Sequence, residues 1–115
     1  MNVDWDRINS FIDEEDAEEQ EWLKDMIVTL ISSFEERLIE LDAIMSKRDN
    51  VGLIAMLHQM KGITSNFGLE RLRQIITAAE VFAKANNTDS ALKEVSKLSL
   101  IWEEIRVELK AKLGI

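Results

Sequence analysis

Not one of the 115 residues is proline, and only four are glycine. In a helix interior proline costs about 3 kcal/mol and glycine about 1 kcal/mol relative to alanine, so a chain nearly free of both has few places where a helix must stop. The remainder is rich in Leu, Ile, Ala, Glu and Lys, all good or tolerable helix formers. The expectation is an all-α protein. With 46% hydrophobic and 31% charged residues the chain is globular rather than disordered. Its length suits one core, hence a single domain over residues 1–115. The absence of cysteine removes disulfides, thiolate metal sites and cysteine nucleophiles together, and fits a cytoplasmic protein. The acidic N-terminus lacks the basic-then-apolar pattern of a signal peptide, and no apolar run approaches the roughly 18–20 residues of a membrane span.

Apolar residues recur at helical spacing along the whole chain. A short first helix is expected over residues 4–12, with Trp5, Ile8, Phe11 and Ile12 on one side. The acidic run at 13–21 then opens a long helix, its carboxylates suiting the positive end of the helix dipole. In that helix Leu23, Ile27, Leu30, Phe34, Leu38, Leu41 and Met45 step by threes and fours. Basic residues close it, and Asp49 or Asn50 caps the third helix, expected over 51–67 with Gly68 just past its end. A fourth helix turns Leu72, Ile75, Ile76, Ala79, Phe82 and Ala83 inward. After a turn at 86–90, with Thr88 or Asp89 as N-cap, one last helix carries Leu92, Val95, Leu98, Trp102, Ile105, Leu109 and Leu113. Four long amphipathic helices with short connections make an antiparallel four-helix bundle, with the short additional N-terminal helix across one end.

The net charge of −8 excludes a nucleic-acid partner, whose phosphates demand a basic footprint. That charge is uneven. Residues 1–50 carry 15 acidic and 5 basic side chains, residues 51–115 carry 7 and 9. No carboxylate lies between Asn50 and Leu69, whereas Lys61 lies inside that window and Arg71 and Arg73 just beyond it. The single histidine, His58, sits in this mildly positive stretch.

On a helical wheel at about 100° per residue, with Ala55 at the origin, Leu53, Met56, Leu57, Met60, Ile63, Thr64 and Phe67 fill an arc of about 80–200°. Val51, His58, Gly62 and Ser65 fall near 280–340°, beside Ala55, and Lys61 flanks them at about 240°. His58 therefore projects away from the core, among small residues. Gly62 is its stacked neighbour at i+4, so nothing shields the imidazole on that side and a partner's backbone can approach. The competing explanation for Gly62 is close helix packing, which its outward position disfavours.

One histidine without cysteine supplies too few ligands for a metal site, and a carboxylate di-metal bundle needs a second histidine. A catalytic triad needs an acid to orient the base, and the carboxylate-free window offers none nearby in sequence. No Gly-rich phosphate cradle signals an ATP site. What remains is histidine as a nucleophile that forms a covalent intermediate; neutral imidazole, with an ordinary pKa of about 6.5, is available at pH 7. Lys61, at i+3, offers a positive charge to an anionic acceptor group, and Ser65 a hydroxyl for a hydrogen bond.

The stretch His58-Gln-Met-Lys61-Gly62-Ile-Thr-Ser65-Asn-Phe-Gly68 resembles the H-x-x-K-G-x-x-x-x-x-G signature of histidine-containing phosphotransfer (HPt) domains. The resemblance extends over the chain: the opening VDWDRINSFI is similar to the short first helix of many members, and Glu80 stands where a glutamate often follows the motif. Ile63 and Thr64 are bulkier than the small residues common at those positions. The resemblance implies a phosphoryl carrier in a multistep two-component phosphorelay, without an ATP site or cofactor of its own. His58 would be phosphorylated on Nε2, Lys61 would neutralise phosphoryl charge, Gly62 would give access and Gly68 would end the helix. Partners would be receiver domains of response regulators and hybrid sensor kinases, with Mg²⁺ on the receiver. They would dock on the face carrying Val51, Ala55, Gln59, Gly62 and Ser65. A monomer is expected, since a closed bundle with a solvated outer face needs no second copy. The alternatives are a helical adaptor that binds receivers or kinases without transfer, and the phosphoacceptor domain of a larger kinase. A start at Met1 and an end at Gly114-Ile115 favour a stand-alone protein over the latter.

Overall fold

The caps decide where the helices begin. In the computed structural model, which describes residues 3–13 and 15–114, the chain forms α1 (Trp5–Asn9), α2 (Ala17–Ser46), α3 (Asn50–Asn66), α4 (Glu70–Lys84), α5 (Thr88–Val95) and α6 (Leu98–Leu113). All regular elements among the described residues are helical. Asp4, Asp16, Asp49 and Asn87 each accept a backbone N–H from the first turn that follows, replacing a hydrogen bond the helix start lacks. The N-cap of α5 is therefore Asn87 rather than Thr88 or Asp89, and that of α3 is Asp49. The long helix opens at Ala17, not within the first acidic residues, because Asp16 caps it by accepting from Glu18 and Glu19 N–H. Glu14 of the acidic run lies outside the described residues. Helix α1 is shorter than its apolar pattern predicts: the Ser10 hydroxyl donates to the Arg7 carbonyl at 2.5 Å, and Phe11 and Ile12 fall beyond its end.

Three reversals share one construction. Arg48, Gly68 and Asn86 have positive φ (50°, 66° and 59°) and stand directly after the C-caps of α2, α3 and α4. In each turn the following residue's N–H reaches back to a carbonyl in the last turn: Asp49 to Ile44, Leu69 to Thr64, Asn87 to Phe82. This is the Schellman arrangement, and it satisfies carbonyls that the helix end leaves unpaired. The same residue is then the N-cap of the next helix. Each hairpin thus takes only three residues, which forces antiparallel neighbours.

Helices α2, α3, α4 and the α5–α6 pair close into the antiparallel four-helix bundle, with α3 packed most extensively on α4. The expected single last helix is two: after Val95 the hydrogen-bond ladder slips, with Lys97 N–H bonding to Glu94 one residue early and the Ser96 hydroxyl taking the Lys93 carbonyl. Ser96 and Lys97 keep right-handed backbone angles, so the arm kinks without reversing. Its apolar stripe runs through the kink, with Val95, Leu98, Trp102, Ile105 and Leu109 buried. The molecule measures 49 × 20 × 20 Å, close to the length of α2, whose 30 residues span about 45 Å. Helix α1 closes one end: Ile8 is fully buried, Asp4 N–H donates to the Gly68 carbonyl (3.1 Å) and Trp5 Nε1 to Glu108 (3.3 Å). Among the described residues no helix is long and apolar enough to cross a membrane.

Candidate functional site

The rotation of α3 is set by Leu53, Leu57 and Met60, which are essentially inaccessible to solvent. Emptying one such site, for example Leu57→Ala, costs about 2–5 kcal/mol, so the helix has little freedom to turn about its axis. Fixing Leu57 inward sends its neighbour His58 outward, and the imidazole side chain is 72% exposed. Val51, Ala55, Gly62 and Ser65 are exposed as the wheel predicts, and so is Gln59. A Cβ placed on Gly62 would meet nothing within 4 Å, so no packing constraint explains this glycine.

Register between α3 and α4 is held at the far end by the Asn50 amide, which donates to the Ala83 carbonyl at 2.9 Å. This brings Glu80 of α4 opposite His58 and Lys61. Glu80 is buried, its side chain 5% exposed, and its Oε1 accepts from Lys61 Nζ at 2.8 Å and faces Lys84 Nζ at 3.4 Å. Its other oxygen, Oε2, is buried without a hydrogen-bond partner and lies 3.5 Å from His58 Nδ1. A hydrogen bond from Nδ1–H to that oxygen would hold the proton on Nδ1 and leave the Nε2 lone pair towards solvent. Burial of the Glu80 carboxyl by itself disfavours the charged form. The Lys61 hydrogen bond and charge, helped by Lys84, outweigh it and hold the group below the usual carboxylate range.

Reading along the chain for an acid near His58 did not find Glu80; the resemblance singled it out without placing it at the imidazole. The carboxylate-free window around His58 is real, but it spans only α3, and the acid arrives from the neighbouring helix. Its signal was present: Glu80 is i+4 from Ile76 and i−3 from Ala83, at the edge of the apolar arc of α4. Lys61 is half-buried and bound to Glu80 rather than extended to solvent. Ser65 lies two turns from His58, lining a polar hollow with Asp4, Arg7, Gly68, Glu70 and Arg73. Gly68 ends α3 in the left-handed conformation, where an added Cβ would approach Asp4 Cβ to 2.7 Å. The apolar cleft between α2 and α3, lined by Trp22, Met26, Leu30, Ile63 and Phe67 among others, includes neither His58 nor Glu80. Among the described residues no group of three or more His, Cys, Asp or Glu side chains is arranged to hold a metal ion.

The helical bundle thus presents one exposed imidazole with a buried carboxylate behind it and lysines alongside. The family model of the Hpt domain matches residues 25–111, and the chain belongs to that family. It is accordingly a histidine phosphotransfer protein of two-component signalling. The fold is similar to the crystal structure of histidine-containing phosphotransfer protein B (HptB) from Pseudomonas aeruginosa PAO1, with a TM-score of 0.86 over 98% of this chain and 95% of that one, at 22% sequence identity. No curated protein matches the sequence.

Proposed function

We propose that His58 accepts a phosphoryl group from the aspartyl phosphate of one receiver domain and yields it to the aspartate of another, as a carrier in a multistep phosphorelay. The observation that carries this reading is the pairing of a 72% exposed imidazole with a buried carboxylate at its Nδ1 side. Nε2 attacks phosphorus as the aspartyl O–P bond breaks, and the receiver carboxylate leaves with the bonding electrons. The ring, still protonated on Nδ1, gains positive charge as the N–P bond forms, and Glu80 faces that charge. Lys61 adds positive potential for the phosphoryl oxygens. Mg²⁺ belongs to the receiver's acidic pocket, and the mildly positive surroundings of His58 suit such a partner. Receivers of response regulators and hybrid sensor kinases would dock on the Val51, Ala55, Gln59, Gly62 and Ser65 face of a monomeric, cytoplasmic protein.

The test mixes phosphorylated receivers and Mg²⁺ with the wild type and with His58→Gln. Acid-labile, alkali-stable phosphate on the wild type alone is the expected result. Label retained on His58→Gln would place the acceptor elsewhere. Binding without label from any donor would make the protein an adaptor.

A further inference from the structure

Glu80 offers one negative charge to two ammonium groups, and both approach the same oxygen. Lys61 belongs to α3 and Lys84 to α4, and because the two helices are antiparallel they reach Oε1 from opposite directions along the α3–α4 seam. They are not equivalent. Lys61 Nζ is held at 2.8 Å with its side chain 31% exposed; Lys84 Nζ stands at 3.4 Å with its side chain 59% exposed. With a neutral imidazole the cluster therefore holds one positive charge beyond what the carboxylate balances, and that excess resides on the longer, wetter contact.

A phosphoryl group arriving on His58 brings close to two negative charges to this cluster. If Lys61 moved to meet it, the buried Glu80 would lose its short partner just when it must face a ring gaining positive charge. If Lys84 moves, the 2.8 Å pair survives intact. Lysine suits the task, being a compact charge on a flexible stem. We propose that Lys84 is the cation that pairs directly with the phosphoryl oxygens on His58, while Lys61 stays hydrogen-bonded to Glu80 as a positioning residue and lends its charge to the site only from that contact. This rests on the reading of His58 as the phosphoryl acceptor. In the transfer Lys84 gives up or takes no proton: the N–P bond forms, the donor's bond to phosphorus breaks, and Lys84 exchanges one anionic partner for another.

Phosphoramidate tests the idea without a docking partner, since its P–N bond breaks with ammonia leaving and no receiver surface is involved. Labelling of His58 is followed by ³¹P NMR in wild type, Lys84→Gln, Lys84→Arg, Lys61→Gln and His58→Gln, and the resting imidazole by ¹⁵N NMR. Lys84→Gln is expected to slow labelling roughly fivefold, the scale of one partly solvated charge pair, and Lys84→Arg to recover most of the rate. The resting ¹⁵N pattern should stay as in wild type for Lys84→Gln and shift for Lys61→Gln. Wild-type labelling by Lys84→Gln would overturn the proposal and leave His58 as acceptor. Absence of label on the wild type, as on His58→Gln, would overturn the acceptor reading and this inference together.

Discussion

Gly62 and Gly68 lie six residues apart, one inside α3 and one just past its C-cap, and alanine should act on them with opposite sign. Gly62 sits in the regular interior of α3, exposed, and an added Cβ meets nothing within 4 Å. Replacement by alanine then restricts the unfolded chain without straining the folded one, and stability should rise by about 0.5–1 kcal/mol. For a domain of this size that corresponds to roughly 2–5 °C in Tm. Gly68 has φ of +66°, and its Cβ would stand 2.7 Å from Asp4 Cβ, within the turn that α1 closes. Gly68→Ala should therefore cost at least about 1–2 kcal/mol from backbone conformation alone, with the displacement of α1 in addition. Urea unfolding followed by circular dichroism measures both, the midpoint moving up for Gly62→Ala and down for Gly68→Ala. If Gly62→Ala destabilises, the position is not free helix surface and the reasoning from open space fails. The functional half needs a larger side chain: Gly62→Leu should fold normally and slow transfer from receivers by about tenfold, equivalent to about 1.4 kcal/mol. Unchanged transfer in Gly62→Leu would refute the idea that this glycine keeps the approach to His58 clear.

Removing Glu80 with Glu80→Ala should retain the fold, lower stability by about 1–3 kcal/mol through loss of a charged hydrogen bond, and move the resting His58 towards the Nε2–H tautomer in ¹⁵N spectra. An unmoved spectrum would show that Glu80 does not orient the ring. Because the folded-state pKa of Glu80 is depressed, its stabilising contribution is complete above the ordinary carboxylate value near 4.3 and is lost as pH falls through the lower folded value. The unfolding midpoint should thus decline as pH falls below the ordinary carboxylate value, and less steeply in Glu80→Gln. Equal slopes would mean other carboxylates carry the acid sensitivity. Asp49→Ala removes the acceptor for Gly52 N–H at the start of α3, and should cost about 0.5–2 kcal/mol in the same unfolding assay.

Element type was legible in the sequence because helix formation here is local. The 3- and 4-residue spacing of Leu23 to Met45, the caps at Asp16 and Asp49 and the glycine at 68 all act within a few residues of chain. Asn86 opens the turn expected at 86–90, and asparagine tolerates the left-handed conformation there. Less legible was Arg48, which carries positive φ without a sequence mark, held there by the paired back-bonds of the hairpin. The kink at Ser96 was equally silent, since the apolar stripe passes through it unbroken and neither residue is a strong helix breaker.

By itself the sequence determined that the chain is helical, that α3 turns Leu57 to the core and His58 to solvent, and that the neighbours of His58 at i−3, i+4 and i+7 are small. A helix face depends only on a fixed rotation per residue, so it is readable from one strand of text. The tertiary structure alone decided what stands behind the imidazole. Glu80 is 22 residues away along the chain, and it reaches His58 and Lys61 only because a three-residue hairpin and the Asn50–Ala83 bond set α4 against α3 in that register. The same packing moved Lys61 from free surface cation to partner of a buried carboxylate and put Lys84 beside it. Charge balance in a site depends on distances across helices, and those exist only once the core has packed.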